Sequence, residues 1–396
     1  MINKAQHKLI LILNILMCIS ACAVTPINLD SLEQDEGQHF ARRIEANDDY
    51  QSMVQEFDKA TMGGEKHTER YSLAIVFTYG DVIRIRFQGM PKFDGLYQVN
   101  TDGDIELPFA EAFSIKGHNR KSLTLAIEKE LVRLKWFYQD TVNVDVSLVR
   151  LAPVNIAVIG AVFNPGRISI NDQPIQKQED AIQQMAGAFS SGRDLVAALS
   201  AAGGVRPDAD LHHIYLKRGD SILRVVLNNV MNGVDYAKTP SLVNGDVILV
   251  KTTGSENKTL IKPSQITPPG MRIFMSNLTA PALSNAQSAV GSDATRLPYG
   301  SSLLDSAISA NCIGGTHQAN ASRSIVMVTR NYGSQRQLVI RRSINQLLAN
   351  SSDPSVNPYV MPNDGVACYD SQFTNFRDVA RGVIEIVSPL FLRGVL

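Results

Sequence analysis

The side chains in this sequence that could bind a metal or transfer a proton include several histidines. Apart from His7 near the N-terminus, they are His39, His67, His118, His212, His213 and His317. A zinc site needs histidine, cysteine or carboxylate ligands at short, regular spacing, and none of these histidines has such neighbours. We therefore expect surface or hydrogen-bonded histidines, and no metal site.

Three acidic residues could hold a cation together. Asp102, Asp104 and Glu106 alternate along a predicted strand, which places their carboxylates on one face. Calcium needs an oxygen-rich loop, however, and this segment lacks one. We prefer the interpretation of a turn at Asp102-Gly103 followed by a solvated strand face.

The motifs of common catalytic sites are missing from the sequence. It contains no His-Glu-x-x-His, no Gly-x-Ser-x-Gly and no glycine-rich phosphate loop that ends in Lys-Ser or Lys-Thr. We expect a protein that is not an enzyme, with no catalytic residues and no cofactor.

Length and composition indicate a folded, modular protein. The chain has 396 residues, of which 44% are hydrophobic and 19% charged, which predicts several domains because single cores stop growing near about 250 residues. The 38 basic and 38 acidic residues cancel. A chain without net charge or a basic cluster is not expected to bind nucleic acid.

The N-terminus has the layout of a secretory signal. Basic residues precede a short apolar run that ends at Ile19-Ser20-Ala21-Cys22. This end resembles the lipobox of bacterial lipoproteins, which implies cleavage after residue 21 and an N-acyl and diacylglycerol lipid on Cys22. Ala23 follows in place of the aspartate of inner-membrane retention, so the resemblance implies the outer membrane. An ordinary signal peptide is the alternative.

Two further cysteines lie in the mature part of the chain. Cys312 and Cys368 would face an oxidising compartment, where a disulfide forms readily. The sequence leaves two alternatives open, namely a disulfide between them or two buried thiols.

Residues 71–150 predict a small α+β unit, after a polar stretch that indicates a tether with one helix. Ile83, Ile85 and Phe87 alternate with arginines, as in a strand with one buried face. Asp102-Gly103 between two alternating runs predicts a hairpin. The segment 122–137 predicts an amphipathic helix with Leu123, Ile127, Leu131 and Leu134 on one stripe, and "VNVDVSLV" predicts a closing strand.

The order of these features resembles the polysaccharide export domain from residue 71 to residue 149. Gly80-Asp81 at the entry to the first strand, the Asp102-Gly103 turn followed by Pro108, and the closing strand match the family pattern. The resemblance is to outer-membrane polysaccharide export lipoproteins, which form translocons.

Two later segments share one plan of strand, helix with a Gly-Gly end, hairpin and closing strand. The Gly-Gly steps are Gly203-Gly204 and Gly314-Gly315, and such repetition indicates repeated domains. Both segments resemble the β-grasp (SLBB) domains that follow the export domain in this family, although the second copy is degenerate. A glutamine-rich insertion near 170–191 departs from the pattern.

The last segment, 372–396, predicts an amphipathic helix. Arg377, Arg381, Glu385 and Ser388 fall on one polar stripe, and most of the other residues are apolar. About 20 helical residues rise about 30 Å, enough to cross a membrane. In lipid the charged stripe is tolerated if several copies turn it toward a water-filled channel. A helix docked on the preceding domain, or one lying in the membrane interface, is the alternative.

These predictions give an α+β, modular chain: an export-domain α/β sandwich, two β-grasp-like domains and a C-terminal amphipathic transmembrane helix. The predicted segments are 1–21 (signal peptide), 22–70 (tether), 71–150 (export domain), 151–252 and 253–371 (β-grasp domains) and 372–396 (helix).

The resemblance implies a subunit of an outer-membrane ring that exports capsular or extracellular polysaccharide through a helical barrel. It further implies an octameric assembly, with Arg377, Arg381, Glu385 and Ser388 lining the pore, and an inner-membrane partner, a polysaccharide co-polymerase with tyrosine kinase activity. The alternative is a monomeric periplasmic lipoprotein that binds carbohydrate or acts as a scaffold.

Overall fold

The computed structural model describes residues 34–35, 48–62, 75–139, 141–172, 192–227, 239–277, 296–310, 312, 324–332 and 337–369. Within these ranges the chain is α+β, with short helices packed on β-sheets. None of the helices described there is both long and apolar enough to span a membrane. The helix predicted for 372–396 lies outside these ranges.

Two N-terminal elements belong to the segment predicted as a tether. They are β1 (Gln34–Asp35) and α1 (Asp48–Met62). β1 pairs in parallel with a strand near the C-terminal end of the described chain, with Gln34 opposite Val339. The predicted tether therefore contributes to the folded part of the molecule.

The unit from residue 75 to 150 contains one helix and two small sheets. Its elements are β2 (Val82–Phe87), a 3₁₀ turn (Pro91–Phe93), β3 (Gly95–Gln98), β4 (Asp104–Leu107), β5 (Ala110–Ser114), α2 (Arg120–Arg133) and β6 (Val144–Arg150). β2 lies between β3 and β6 in an antiparallel sheet, and β4 pairs with β5.

The predicted alternation of β2 is confirmed. Ile83, Ile85 and Phe87 are buried, whereas Arg84 and Arg86 are exposed. A strand that buries every second side chain needs a cover on one face only.

Helix α2 supplies part of that core. Asn119 caps its N-terminus by accepting a hydrogen bond from the backbone of Ser122, whose hydroxyl accepts one in return. Leu123, Ile127 and Leu131 are fully buried, as the apolar stripe predicted. Burying such side chains stabilises the unit by about 1.5–3 kcal/mol each.

The hairpin predicted at Asp102-Gly103 is only half right. The turn forms, with Gly103 at a φ of 80° and the side chain of Asn100 accepting bonds from the backbone N–H groups of Asp102 and Asp104. The strands on either side do not pair with each other, since β3 joins β2 and β4 joins β5. A short turn fixes the chain reversal, but burial decides which strands pair.

The first repeat is a five-stranded mixed sheet covered by a helix. Its elements are β7 (Val154–Gly160), β8 (Gly166–Ile170), α3 (Leu195–Ala201), β9 (Ala209–Arg218), β10 (Ser221–Val225) and β11 (Val247–Thr252), followed by a 3₁₀ turn (Lys258–Leu260). The strand order is β10-β9-β11-β7-β8, with β7 and β11 parallel. Residues 173–191 of the insertion lie outside the described ranges.

The second repeat shares four strand positions with the first. Its elements are β12 (Gly270–Arg272), β13 (Phe274–Asn277), β14 (Arg296–Pro298), α4 (Leu303–Ser309), β15 (Ser324–Arg330), β16 (Gln337–Ser343), α5 (Ile344–Ala349) and β17 (Gly365–Tyr369). Strands β12 and β14 pair in a separate two-stranded sheet. The strand order is β1-β16-β15-β17-β13, with β13 and β17 parallel. β13, β15, β16 and β17 thus occupy the places of β7, β9, β10 and β11, and β1 adds an edge strand.

The segment after β11 contacts both repeats. Leu260 and Ile266 are buried in the core of the first repeat, whereas Ile261 is buried in the core of the second. The two repeats are therefore joined by packing as well as by the chain.

Candidate functional site: interdomain contacts

Asp81 and Arg193 join the unit of residues 75–150, which we call the export unit, to the first repeat. Asp81 directly precedes β2, and Arg193 directly precedes Asp194, the N-cap of α3. The Arg193 Nη1 atom lies 2.7 Å from Asp81 Oδ1, and both side chains are fully buried. Gly80 makes room for this approach, because a Cβ there would lie 2.9 Å from the Cβ of Ala152.

Further hydrogen bonds hold this ion pair on both sides. The backbone N–H of Ala152 donates to Asp81 Oδ1 at 2.7 Å, and the N–H of Thr78 donates to Oδ2 at 2.9 Å. Arg193 Nη2 donates to the carbonyl of Val76 at 2.8 Å. A buried pair is stable only when such bonds replace the lost water, so this geometry fixes the orientation of the two units.

The protonation of Asp81 reflects two opposing effects. Burial is the larger effect and raises the pKa of the Asp81 carboxyl group above its usual value, although the Arg193 guanidinium and the N–H groups of Ala152 and Thr78 act to lower it. Arg193 Nε is buried and has no hydrogen-bond partner in the described part of the chain. The guanidinium is therefore held through its two terminal nitrogens.

Arg206 forms the polar contact between the two repeats. Its guanidinium donates to Asp208 through Nε and Nη2, at 2.8 and 2.6 Å. The same group lies over the ring of Tyr332 in the second repeat, 4.6 Å from the ring centre. Stacking of this kind suits the planar guanidinium, and Asp208 fixes its orientation.

Phe163 forms the apolar part of the same interface. Its ring centre lies 5.9 Å from that of Tyr299 and 6.3 Å from that of Tyr332, both edge to face. The Phe163 N–H donates to the carbonyl of Gly204 at 3.1 Å. A Cβ on Gly204 would lie 2.7 Å from Pro268, so the chain segments meet too closely for any other residue.

Helix α1 packs on the outer face of the first repeat. Phe57 is buried against Tyr215, with ring centres 6.1 Å apart. Asp58 accepts a hydrogen bond from the Tyr215 hydroxyl at 3.0 Å and pairs with Lys251 at 2.9 Å. This part of the predicted tether is therefore seated on the sheet.

A largely apolar groove lies on the export unit. It has a volume of about 610 Å³, and its apolar lining includes Phe77, Leu125 and Leu148. Arg120 and Asp145 also line it and form an ion pair at 3.1 Å. Such a lining suits contact with another surface more than chemistry.

Two of the histidines, His212 and His213, form hydrogen bonds with Asp210. His213 Nδ1 lies 2.8 Å from Asp210 Oδ2, and the backbone N–H of His212 donates to Oδ1 at 2.9 Å. Burial raises the pKa of Asp210, but the bonds from His213 and His212 outweigh it and hold the pKa below its usual value. In the part of the chain that the structure describes, no three His, Cys, Asp or Glu side chains form a group that could hold a metal.

Cys312 and Cys368 are bonded to each other. Their Cα atoms are 6.1 Å apart, and both residues are fully buried in the core of the second repeat. Of the two alternatives that the sequence left open, the structure has the disulfide. It ties β17 to the segment that follows α4.

The remaining predicted site residues stay predictions. Cys22, Arg377, Arg381, Glu385 and Ser388 lie outside the described ranges.

Sequence reasoning missed Arg193 and Trp136. Arg193 follows the insertion and has no local signal, because its partner lies 112 residues earlier in the chain. Trp136 could have been noticed as the single tryptophan of the chain, next to Phe137 and Tyr138.

Comparisons with known proteins bear mainly on the export unit. Residues 71–149 match the model of the polysaccharide biosynthesis/export protein family. The polysialic acid transport protein KpsD of Escherichia coli is 32% identical over 174 residues, and the EPS I polysaccharide export outer membrane protein EpsA of Ralstonia nicotianae is 27% identical over 219 residues.

These matches cover part of each protein. The KpsD match takes in 43% of this chain and 27% of KpsD, and the EpsA match takes in 53% of this chain and 49% of EpsA. The chain thus spans about a quarter to a half of the length of these relatives. EpsA is named an outer membrane protein, which is the location that the sequence predicts for this chain. The resemblance predicted from the sequence is confirmed over residues 71–149, which match the polysaccharide export family.

Proposed function

We propose that this protein is a subunit of an outer-membrane passage that exports capsular or extracellular polysaccharide. The observation that carries this proposal is the export domain at 71–149, held to the first repeat by the buried Asp81–Arg193 pair. The relatives KpsD and EpsA, named for polysaccharide transport and export, support it. The protein moves its substrate without chemistry of its own, and it needs no cofactor beyond the lipid proposed on Cys22.

The two repeats act as rigid spacers in this proposal. The four strands that the repeats share have the same order and one parallel pair, which supports the assignment as β-grasp-like domains. The contacts of Arg206 and Phe163 with Tyr332 keep them in one orientation. A stack of fixed orientation is what a closed ring requires, because each subunit must present the same surfaces to its neighbours.

The C-terminal segment supplies the membrane crossing in this proposal. Copies of 372–396 surround a water-filled channel, with Arg377, Arg381, Glu385 and Ser388 on the channel side. The proposed assembly is an octameric ring. Its proposed partner is an inner-membrane polysaccharide co-polymerase with tyrosine kinase activity, which contacts the export domain from the periplasm.

The test is a paired substitution in the predicted stripe. Arg381→Leu combined with Glu385→Leu should abolish surface polysaccharide, whereas Arg393→Leu, which lies outside the stripe, should leave it unchanged. Surface polysaccharide is measured on intact cells, together with the amount of protein in the outer membrane. Normal polysaccharide in the double variant contradicts the channel.

The assembly is tested with the full-length protein in detergent. Negative-stain electron microscopy should show rings with a central opening. Monomers that stay monomeric in lipid contradict the ring and favour a monomeric carbohydrate-binding or scaffold lipoprotein.

A further inference from the structure

The export unit carries an exposed aromatic surface that the function described so far does not use. We call it the aromatic platform, and it consists of Phe93, Phe109, Trp136 and Tyr138. The Trp136 indole is stacked on Phe93, with ring centres 5.6 Å apart and an angle of 28° between the planes. Phe109 meets the indole at 5.6 Å and 63°. Even so, 46% of Trp136 stays exposed.

The backbone around Trp136 is fixed. Lys135 has a φ of 59°, in the left-handed region, and ends helix α2. Its N–H donates to the carbonyl of Val132 at 3.0 Å, and the Trp136 N–H donates to that of Leu131 at 3.1 Å. This pattern closes the C-terminal end of the helix, so the indole is anchored directly to the core of the unit.

The support below the indole is fixed as well. Phe93 ends the 3₁₀ turn, and its carbonyl accepts a hydrogen bond from the hydroxyl of Tyr97 at 2.5 Å. The next residue, Asp94, accepts a bond from the backbone N–H of Phe87 at 2.7 Å. A ring that is already ordered loses little conformational entropy when it binds a ligand.

Tyr138 is a second exposed aromatic residue, two positions after Trp136 in the chain. It is 84% exposed, although its carbonyl accepts bonds from both the N–H and the hydroxyl of Thr141, each 3.0 Å long. Two exposed aromatic residues thus stand two positions apart on a segment with a fixed backbone.

We propose that the aromatic platform is a saccharide-binding site on which sugar rings of the exported polymer stack against Trp136 and Tyr138. The C–H bonds on one face of a pyranose ring are apolar and slightly positive, and the face of an aromatic ring is negative, so the two attract. This inference rests on the proposed function and names the contact that the polymer makes with the export domain.

The neighbouring charges include one more cation than anion, which fits an acidic polymer. Lys92 and Lys135 directly precede Phe93 and Trp136, Asp94 directly follows Phe93, and all three charged residues are exposed. Each contact of this kind is weak, which suits a passage in which the chain has to bind and then move on.

The single tryptophan gives the site its own signal. Because the chain has one tryptophan, the fluorescence of the full-length protein reports on Trp136 alone when the excitation wavelength is one that tyrosine does not absorb. The probe is a set of saccharide oligomers cut from the surface polysaccharide of cells that have this protein. A strain without the protein fails to display that polysaccharide. Titration should change the emission in a saturable way.

Variants test whether the contact is stacking. Tyr138→Ala, at an exposed position, should weaken binding of these oligomers about tenfold. Leu96→Ala is the matched control, since Leu96 is 59% exposed on β3 of the same unit, and it should bind as the unchanged protein does. Constant emission, or equal binding by Tyr138→Ala, overturns the site.

Other outcomes separate this inference from the proposed function. A strain that lacks the protein and still displays its polysaccharide contradicts the proposed function and this inference with it. Loss of the polysaccharide together with constant Trp136 emission contradicts the saccharide site alone. Tyr138→Ala could also dissociate the assembly of protein subunits and leave saccharide binding intact. In that case the aromatic platform is a contact between copies of the protein, and the saccharide site is overturned.

Discussion

Asp81 and Arg193 lie 112 positions apart in the sequence and meet in a fully buried ion pair between the export unit and the first repeat. The pair depends on both partners, because a single buried charge has neither water nor a counter-ion. The orientation of the export unit on the first repeat is therefore sensitive to either side chain.

Replacement of Arg193 by leucine should destabilise the protein by about 3–5 kcal/mol, because it leaves the Asp81 carboxylate buried and unpaired. Urea unfolding of the purified protein measures the loss. The control is Arg120→Leu, which breaks the Arg120–Asp145 pair, whose side chains are 69% and 50% exposed. That change should cost less than about 1 kcal/mol. Equal losses of stability in the two variants would show that the buried pair stabilises the protein no more than an exposed pair does.

The local elements of this fold could be predicted from the sequence because their causes are local. The alternation around Ile83 and Ile85 predicts a strand, and the spacing of Leu123 and Ile127 predicts a helix, whatever surrounds them. The common plan of the two repeats was visible for the same reason.

The contacts between units could not be predicted in this way. Arg193 follows a polar insertion, and nothing near it indicates a buried partner. Phe57 is one of the few aromatic residues in a polar segment, and only the surface around Tyr215 turns that segment from a tether into a packed helix. Long-range contacts of this kind depend on surfaces that distant segments form only in the folded protein. A short stretch of sequence does not show those surfaces.

The disulfide should stabilise the second repeat. Cys312 and Cys368 are separated by 56 positions, and closing a loop of that length stabilises by about 4 kcal/mol in the chain-entropy model. The variant with both cysteines replaced by serine should therefore unfold at lower urea concentration. A reductant should lower the midpoint of the unchanged protein and leave that of the variant in place. A midpoint that does not respond to the reductant would contradict this role.

The stability contributed by Asp210 should depend on pH. Its pKa is lowered in the folded protein, so its contribution is fully present above the unfolded pKa of about 4 and is lost as the pH falls through the folded value. The difference in free energy of unfolding between the unchanged protein and Asp210→Asn should shrink from pH 5 to pH 2.5. Asp220→Asn, in the exposed turn between β9 and β10, is the control. A difference that stays constant or grows toward low pH would contradict the assigned direction.

The tight approach at Gly204 should make this position intolerant of any side chain. Gly204 has a φ of 87°, and a Cβ there would lie 2.7 Å from Pro268 Cδ and 2.9 Å from Pro268 N. Gly245 has nearly the same φ, 86°, but an added Cβ would meet nothing within 4 Å. Gly245→Ala therefore measures the cost of the left-handed backbone alone, about 1–2 kcal/mol. Gly204→Ala should cost about 1–3 kcal/mol more, because the backbone at Pro268 has to move and the contact of Phe163 with the second repeat moves with it. Urea unfolding of both variants separates the cost of the left-handed backbone from the cost of the contact with Pro268. Equal losses of stability in the two variants would show that the interface between the repeats has room to adjust.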